Sequence, residues 1–335
     1  MNKKDLSLLS VQRVMALASL ATLLVPLLVL GCQNKEQPNV DNLVNDKTAA
    51  KPDLKPTEFD SARAFEHVRR LVELGPHPPG SSAIKQAREY ITKELTGYGL
   101  KVQTDSFRAH TPNPRFPEVE MVNLIAEIPG QQQGVIILAS HYDTKWFPDI
   151  EFVGANDSGS STGALLELAR QLANSKPKYT LWLVFFDGEE AMNGPWIEGD
   201  NTYGSRHMAE RLTKEGKIRD IKGMILLDMI GDRELNVVRD AYSTSWMSDI
   251  IWRTAARLGY AKHFDTNSTY LEDDHIPFLR AGVPAVDIID FSYGSDANDY
   301  WHTAGDTLDK LSPQSLKVIG DTVLHSLPEI AARFK

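Results

Sequence analysis

The stretch "YTLWLVFFDGEE", residues 179–190, decides the fold. Up to Phe186 it is apolar or aromatic except at Thr180. A run that continuous reads as a strand buried on both faces, not one with a wet face. Asp187 and Gly188 end the run, and Glu189 and Glu190 then stand side by side. Adjacent ionised carboxylates repel, so such a pair at the point where a strand leaves the core needs a chemical reason.

The neighbouring sequence repeats the scheme. Strands are predicted over 101–109, 121–130, 134–144, 221–232 and 283–291. Helical spacing of apolar residues covers 59–74, 83–99, 158–175, 203–216, 248–260 and 312–334. Strands alternating with helices predict an α/β domain with a largely parallel sheet covered on both faces. In such sheets, ligand sites form in loops beyond the carboxyl ends of the strands.

The chain has 335 residues and a formal net charge of −9, with no long single-sign run. That argues against a general nucleic-acid binder. Residues 59–335 read as one catalytic domain, without repeat or internal boundary. Ahead of it, Lys3, Lys4 and Arg13 precede the apolar "VMALASLATLLVPLLVLG" (14–31), followed by Cys32. A basic lead, an apolar run and a small residue before the cut describe an export signal over 1–31. "VLGC" (29–32) resembles the bacterial lipobox, with Cys32 as the lipidated residue; a plain transmembrane anchor is the alternative. Residues 32–58 are polar and Pro-bearing and read as a flexible tether. The expectation is an exported bacterial lipoprotein, held to the membrane only through its N-terminal lipid. Gln33 in place of Asp leans toward the outer membrane. Cys32 is the only cysteine, so no intramolecular disulfide can form.

Acidic and imidazole residues gather where elements end. His141 and Asp143 follow "VIILAS", Asp157 follows "FVGAN", Glu189 and Glu190 follow "VFFDG", and Asp228 follows "GMILL". Asp273, Asp274 and His275 precede "IPFL", and His302 follows "DYW". Taken singly, Asp157 suits a helix N-cap, Asp228 a turn, His141 a core position and "GEE" a solvated bend. Taken together, His, Asp and Glu without Cys form the donor set of a catalytic zinc site. One glutamate then binds the metal while its neighbour, pointing elsewhere, handles a proton.

"SHYDT", "GANDSGSSTGALLELAR", "FFDGEEA", "YGSRH", "LLDMIG", "DDHIPF" and "YWHTAGDT" resemble the zinc aminopeptidase superfamily of the M28 type. More narrowly, they resemble the glutaminyl cyclases (glutaminyl-peptide cyclotransferases). The resemblance covers about residues 59–335. It implies a three-layer α/β/α fold with a mixed, mostly parallel sheet. It also implies one zinc ion held by Asp157, Glu190 and His302, with Glu189 as general acid/base. Asp273 and Asp228 match carboxylates that hydrogen-bond around the reacting amide, and Trp196 and Trp301 match aromatic pocket walls. The dinuclear aminopeptidases would use His141 and Asp228 for a second zinc, with Asp157 bridging, and both residues are present. Asp273, where the peptidases tend to have Ser, and Trp301 favour the cyclase branch.

Two departures concern the pocket. The segment between 291 and "YWH" is longer than expected and carries Ala297 near the family's phenylalanine, with Phe291 or Tyr293 available instead. "MNGPW" (192–196) is also one residue longer. The implied reaction is cyclisation of an N-terminal glutamine to pyroglutamate with release of ammonia, by a monomer acting on peptides or proteins. The rivals are a zinc aminopeptidase on the same fold and a binding module on an inactive scaffold.

Overall fold

A computed structural model describes residues 54–55, 57–295 and 297–334. The export signal, Cys32 and the tether up to 53 lie outside the described residues. Among those described, no helix is long and apolar enough to cross a membrane.

Eight strands form one sheet: β1 (Lys101–His110), β2 (Glu118–Ile128), β3 (Gln132–His141), β4 (Tyr179–Phe186), β5 (Ile221–Asp228), β6 (Val237–Asp240), β7 (Phe264–Thr269) and β8 (Ala285–Ile289). Their order is β1-β2-β4-β3-β5-β8-β6-β7. The centre, β4-β3-β5-β8, is parallel throughout. Antiparallel pairings join β1 to β2, β2 to β4 and β6 to β8, so the sheet is mixed.

The helices are α1 (Ser61–Val72), α2 (Ser82–Gly97), α3 (Ser161–Leu172), α4 (Tyr203–Lys214), α5 (Ser245–Arg257), α6 (His275–Arg280) and α7 (Pro313–Arg333). Side chains alternate across the sheet. Leu181, Leu183 and Phe185 of β4 join a core shared with α1, α2, α3, α5 and α7. Val184 and Phe186 face the other way, with Met208 and Leu212 of α4 and Phe278 of α6. Both faces are dry, which is why β4 reads as an unbroken apolar run.

Three elements were not legible in the sequence. β6 has four residues, β7 is "FDTNST" with little to bury, and α6 is six residues containing Pro277. None is long enough to show a period.

The polar segment placed in the tether reaches the described residues docked on the domain. Leu54 N donates to Arg257 O at 3.1 Å, and Lys317 Nζ donates to Thr57 O at 2.6 Å. Thr57 N donates to Asp321 Oδ1 at 2.8 Å, and Phe59 packs over Gly320.

Candidate metal centre and substrate pocket

The four parallel strands end on one side of the sheet, and the acidic and imidazole residues converge there. His141 closes β3 and Asp228 closes β5. Glu189 and Glu190 follow β4 through Gly188, whose φ is +74° and whose Cβ would meet Met121 Sδ at 2.5 Å. Asp157 lies in the turn 155–160 ahead of α3. Gly154 allows that turn: its φ is +59°, and a Cβ there would sit 2.1 Å from the Asp157 carbonyl oxygen. His302 stands at φ 54°, a left-handed conformation uncommon outside glycine and frequent at functional sites.

Two three-residue donor sets result, and Asp157 belongs to both. In the first, His302 Nε2 lies 3.0 Å from Glu190 Oε1 and 3.3 Å from Asp157 Oδ2. In the second, His141 Nε2 lies 3.1 Å from Asp157 Oδ1 and 3.2 Å from Asp228 Oδ1. Within each set the donor atoms fall inside 4.8 Å of one another, close enough to share an ion. The donors are nitrogen and oxygen only, buried except for half-buried His302, and richer in carboxylate than their own cations can balance. Those properties fit a divalent metal.

The electrostatics carry the same message. Burial works against charge on His302, but Glu190 and Asp157 outweigh it and hold its pKa up at about 9. Burial likewise opposes the charge on His141, and Asp143, Asp157 and Asp228 reverse that. Burial pushes Glu189 well above the usual carboxylate range, against the pull of His141 and with help from Asp273 and Glu190. Asp273 rises for the same first reason, reinforced by Asp228 and Asp274.

Above the donors lies a cavity of about 280 Å³. Asp157, Glu189, Glu190, Trp196, Asp228, Asp273, Trp301 and His302 all line it. His141 does not; it is buried below. The Trp301 ring stacks on His302 with centroids 4.0 Å apart, and Phe291 meets Trp301 edge-on at 5.1 Å. Phe291 therefore lines the cavity wall beside Trp301. Tyr293 does not: it is buried and its hydroxyl donates to Asp306 Oδ1 at 2.7 Å.

Several supporting residues were missed. Asp143, noted only as a strand-end residue, accepts from Glu189 N at 3.1 Å and Glu190 N at 3.2 Å, and so fixes the pair. Asp306 accepts from Asn156 N and Asp157 N at 2.8 and 3.1 Å. Lys145 Nζ approaches Glu190 Oε2 at 3.4 Å. Asp287 is fully buried, and neither of its oxygens has a donor among the described residues. Asp143 and Asp306 stand inside "SHYDT" and "YWHTAGDT"; nothing local marks Lys145 or Asp287. Away from the site, His67 bridges the hydroxyls of Tyr90 and Tyr98, and His77 is buried against Gly75 O.

Comparison with known proteins gives the same class. Residues 123–327 match the model of peptidase family M28. The glutaminyl-peptide cyclotransferase of Drosophila melanogaster is 32% identical over 286 residues, covering 75% of this chain and 79% of that one. A glutaminyl cyclase structure from an Acidobacteriales bacterium superposes with a TM-score of 0.78 at 40% identity, over 85% of this chain and 99% of that one. A Zn-dependent exopeptidase from Parabacteroides distasonis superposes with a TM-score of 0.73 at 25% identity, over 81% and 98%. The chain belongs to peptidase family M28 and, within it, to the glutaminyl-peptide cyclotransferases.

Proposed function

We propose that this protein cyclises the N-terminal glutamine of peptides or proteins to pyroglutamate, releasing ammonia. One observation carries the reading beyond family membership. Asp273 lines the cavity with Glu189, and its Oδ2 has no hydrogen-bond partner among the described residues, so the pocket wall holds an uncommitted carboxyl group suited to a substrate donor. A leaving amide nitrogen is such a donor.

Asp157, Glu190 and His302 would hold the metal, and zinc fits the donor set. Bound there, it would supply Lewis-acid polarisation of the substrate γ-carbonyl. Glu189 takes a proton from the α-amine as that nitrogen bonds to the side-chain carbonyl carbon (Cδ), and returns one to the amide nitrogen as the bond between that carbon and the amide nitrogen breaks. Proton transfer of this kind contributes roughly 10²–10⁴-fold. Asp273 orients the departing nitrogen, and Asp228 supports Asp273. Trp196 and Trp301 fold the glutamine side chain toward its own amine, which is most of what a unimolecular closure needs.

The second donor set, His141, Asp157 and Asp228, favours one further reading: a dinuclear aminopeptidase hydrolysing the first peptide bond. One zinc per chain and loss of ammonia from a Gln-initiated peptide, weighed by mass spectrometry, support cyclisation. Two zincs and a freed amino acid, with no pyroglutamate, would sink it.

The protein acts as a monomer in this reading. "VLGC" supports a lipid on Cys32, and a Cys32→Ala chain should leave the membrane fraction.

A further inference from the structure

We propose that Tyr270 and Tyr242 form an aromatic shelf at the mouth of the cavity that receives the side chain following the glutamine. Substrates with an aromatic or large apolar second residue are then preferred. The inference rests on the cyclisation reading only for what occupies the inner cavity.

Exposed large apolar side chains are few among the described residues, and two of them are these tyrosines. Tyr270 is 71% exposed and lines the cavity; Tyr242 is 47% exposed. Their rings meet edge-to-face at 4.9 Å. A ring left in water beside a pocket is surface waiting for a partner. A peptide whose glutamine fills the pocket must carry its next residue across this rim.

The shelf is also rigidly held. Asp240, at the end of β6, accepts from Tyr242 N and Leu271 N at 3.1 Å through Oδ1. Through Oδ2 it accepts from Ser243 N and Oγ at 2.7 Å and meets His275 Nε2 at 2.9 Å. Ala241 N donates to Thr269 O at 2.7 Å. One buried carboxylate thus fixes both tyrosine-bearing turns and ties them to the segment carrying Asp273. A surface ordered before binding loses little freedom on binding.

The test uses the zinc-loaded Glu189→Gln chain and calorimetric binding of Gln-Phe-Ala and Gln-Gly-Ala, with turnover by the unmodified chain alongside. The phenylalanine peptide should bind roughly tenfold more tightly, the upper range for an added aromatic contact. Tyr270→Ala should remove most of that preference, Tyr242→Ala part of it, and Tyr270→Phe none. Equal binding of the two peptides, no binding of either, or a preference that survives Tyr270→Ala overturns the shelf. A tyrosine-dependent preference without any pyroglutamate would instead sink the cyclisation reading and leave the shelf standing.

Discussion

Two groups of buried carboxylates lie at opposite ends of the same logic. Asp321, on α7, is fully buried and fully answered. It accepts from Thr57 N and Lys317 Nζ at 2.8 Å on one oxygen and from Tyr260 OH at 2.8 Å on the other. Around the site, Asp157, Glu190 and Asp228 meet chiefly histidine rings, and Asp273 Oδ2 has no donor among the described residues. Burying charge is costly unless it is paired. The first group is finished by the chain itself. The second is left unfinished by the chain, as the proposed cation and substrate require.

The sharpest way to break this contrast is at Glu189. Glu189→Gln should lower kcat by roughly 10²–10⁴-fold, with zinc content measured by elemental analysis unchanged. Retained turnover would remove Glu189 as the proton carrier. Next in size is Asp321→Ala, which strips four donors, Thr57 N, Thr57 Oγ1, Lys317 Nζ and Tyr260 OH, of their acceptor. It should cost about 3 kcal/mol in denaturant unfolding and leave zinc content untouched; a fall in zinc content would mean that the two groups are not separate.

The metal itself should act as a stabilising ligand for the second group alone. At a hundredfold excess over Kd it should add about 2.7 kcal/mol to unfolding, and nothing in Asp157→Ala. An unaltered melting curve after chelation would contradict the centre. The smallest effect is in pH. With its pKa near 9 in the metal-free chain, His302 is protonated at neutral pH. The ion needs the neutral ring, so binding must displace that proton. Zinc affinity should therefore rise with pH up to about 9, by at most about tenfold per unit for this one proton. Proton release into buffers of different ionisation heat checks it. A flat affinity between pH 6 and 8 would show that His302 is not a ligand.

Much of this was legible because the code is local. A strand buried on both faces has to be apolar at every position, so "YTLWLVFF" announces itself and its end marks the site. Asp157, Glu190 and His302 could be named because each occupies a strand end or loop in a recognisable motif. Lys145 and Asp287 carry no such mark; their roles depend on what approaches them from other strands. β7 escaped notice because an edge strand with little to bury needs no apolar alternation. The docking of Thr57 is set by Asp321 and Lys317, more than 250 positions away.

By itself the sequence determined the alternation of strands and helices, the export-like leader and the inventory of metal-binding side chains. These follow from periodicity and residue chemistry, which act over a few positions. Only the tertiary structure decided which donors lie close enough to share an ion, that Phe291 and not Tyr293 walls the pocket, and that the Tyr242 and Tyr270 rings meet beside it. Those facts depend on separations of a few ångströms between segments far apart in the chain, and only the packed sheet sets them.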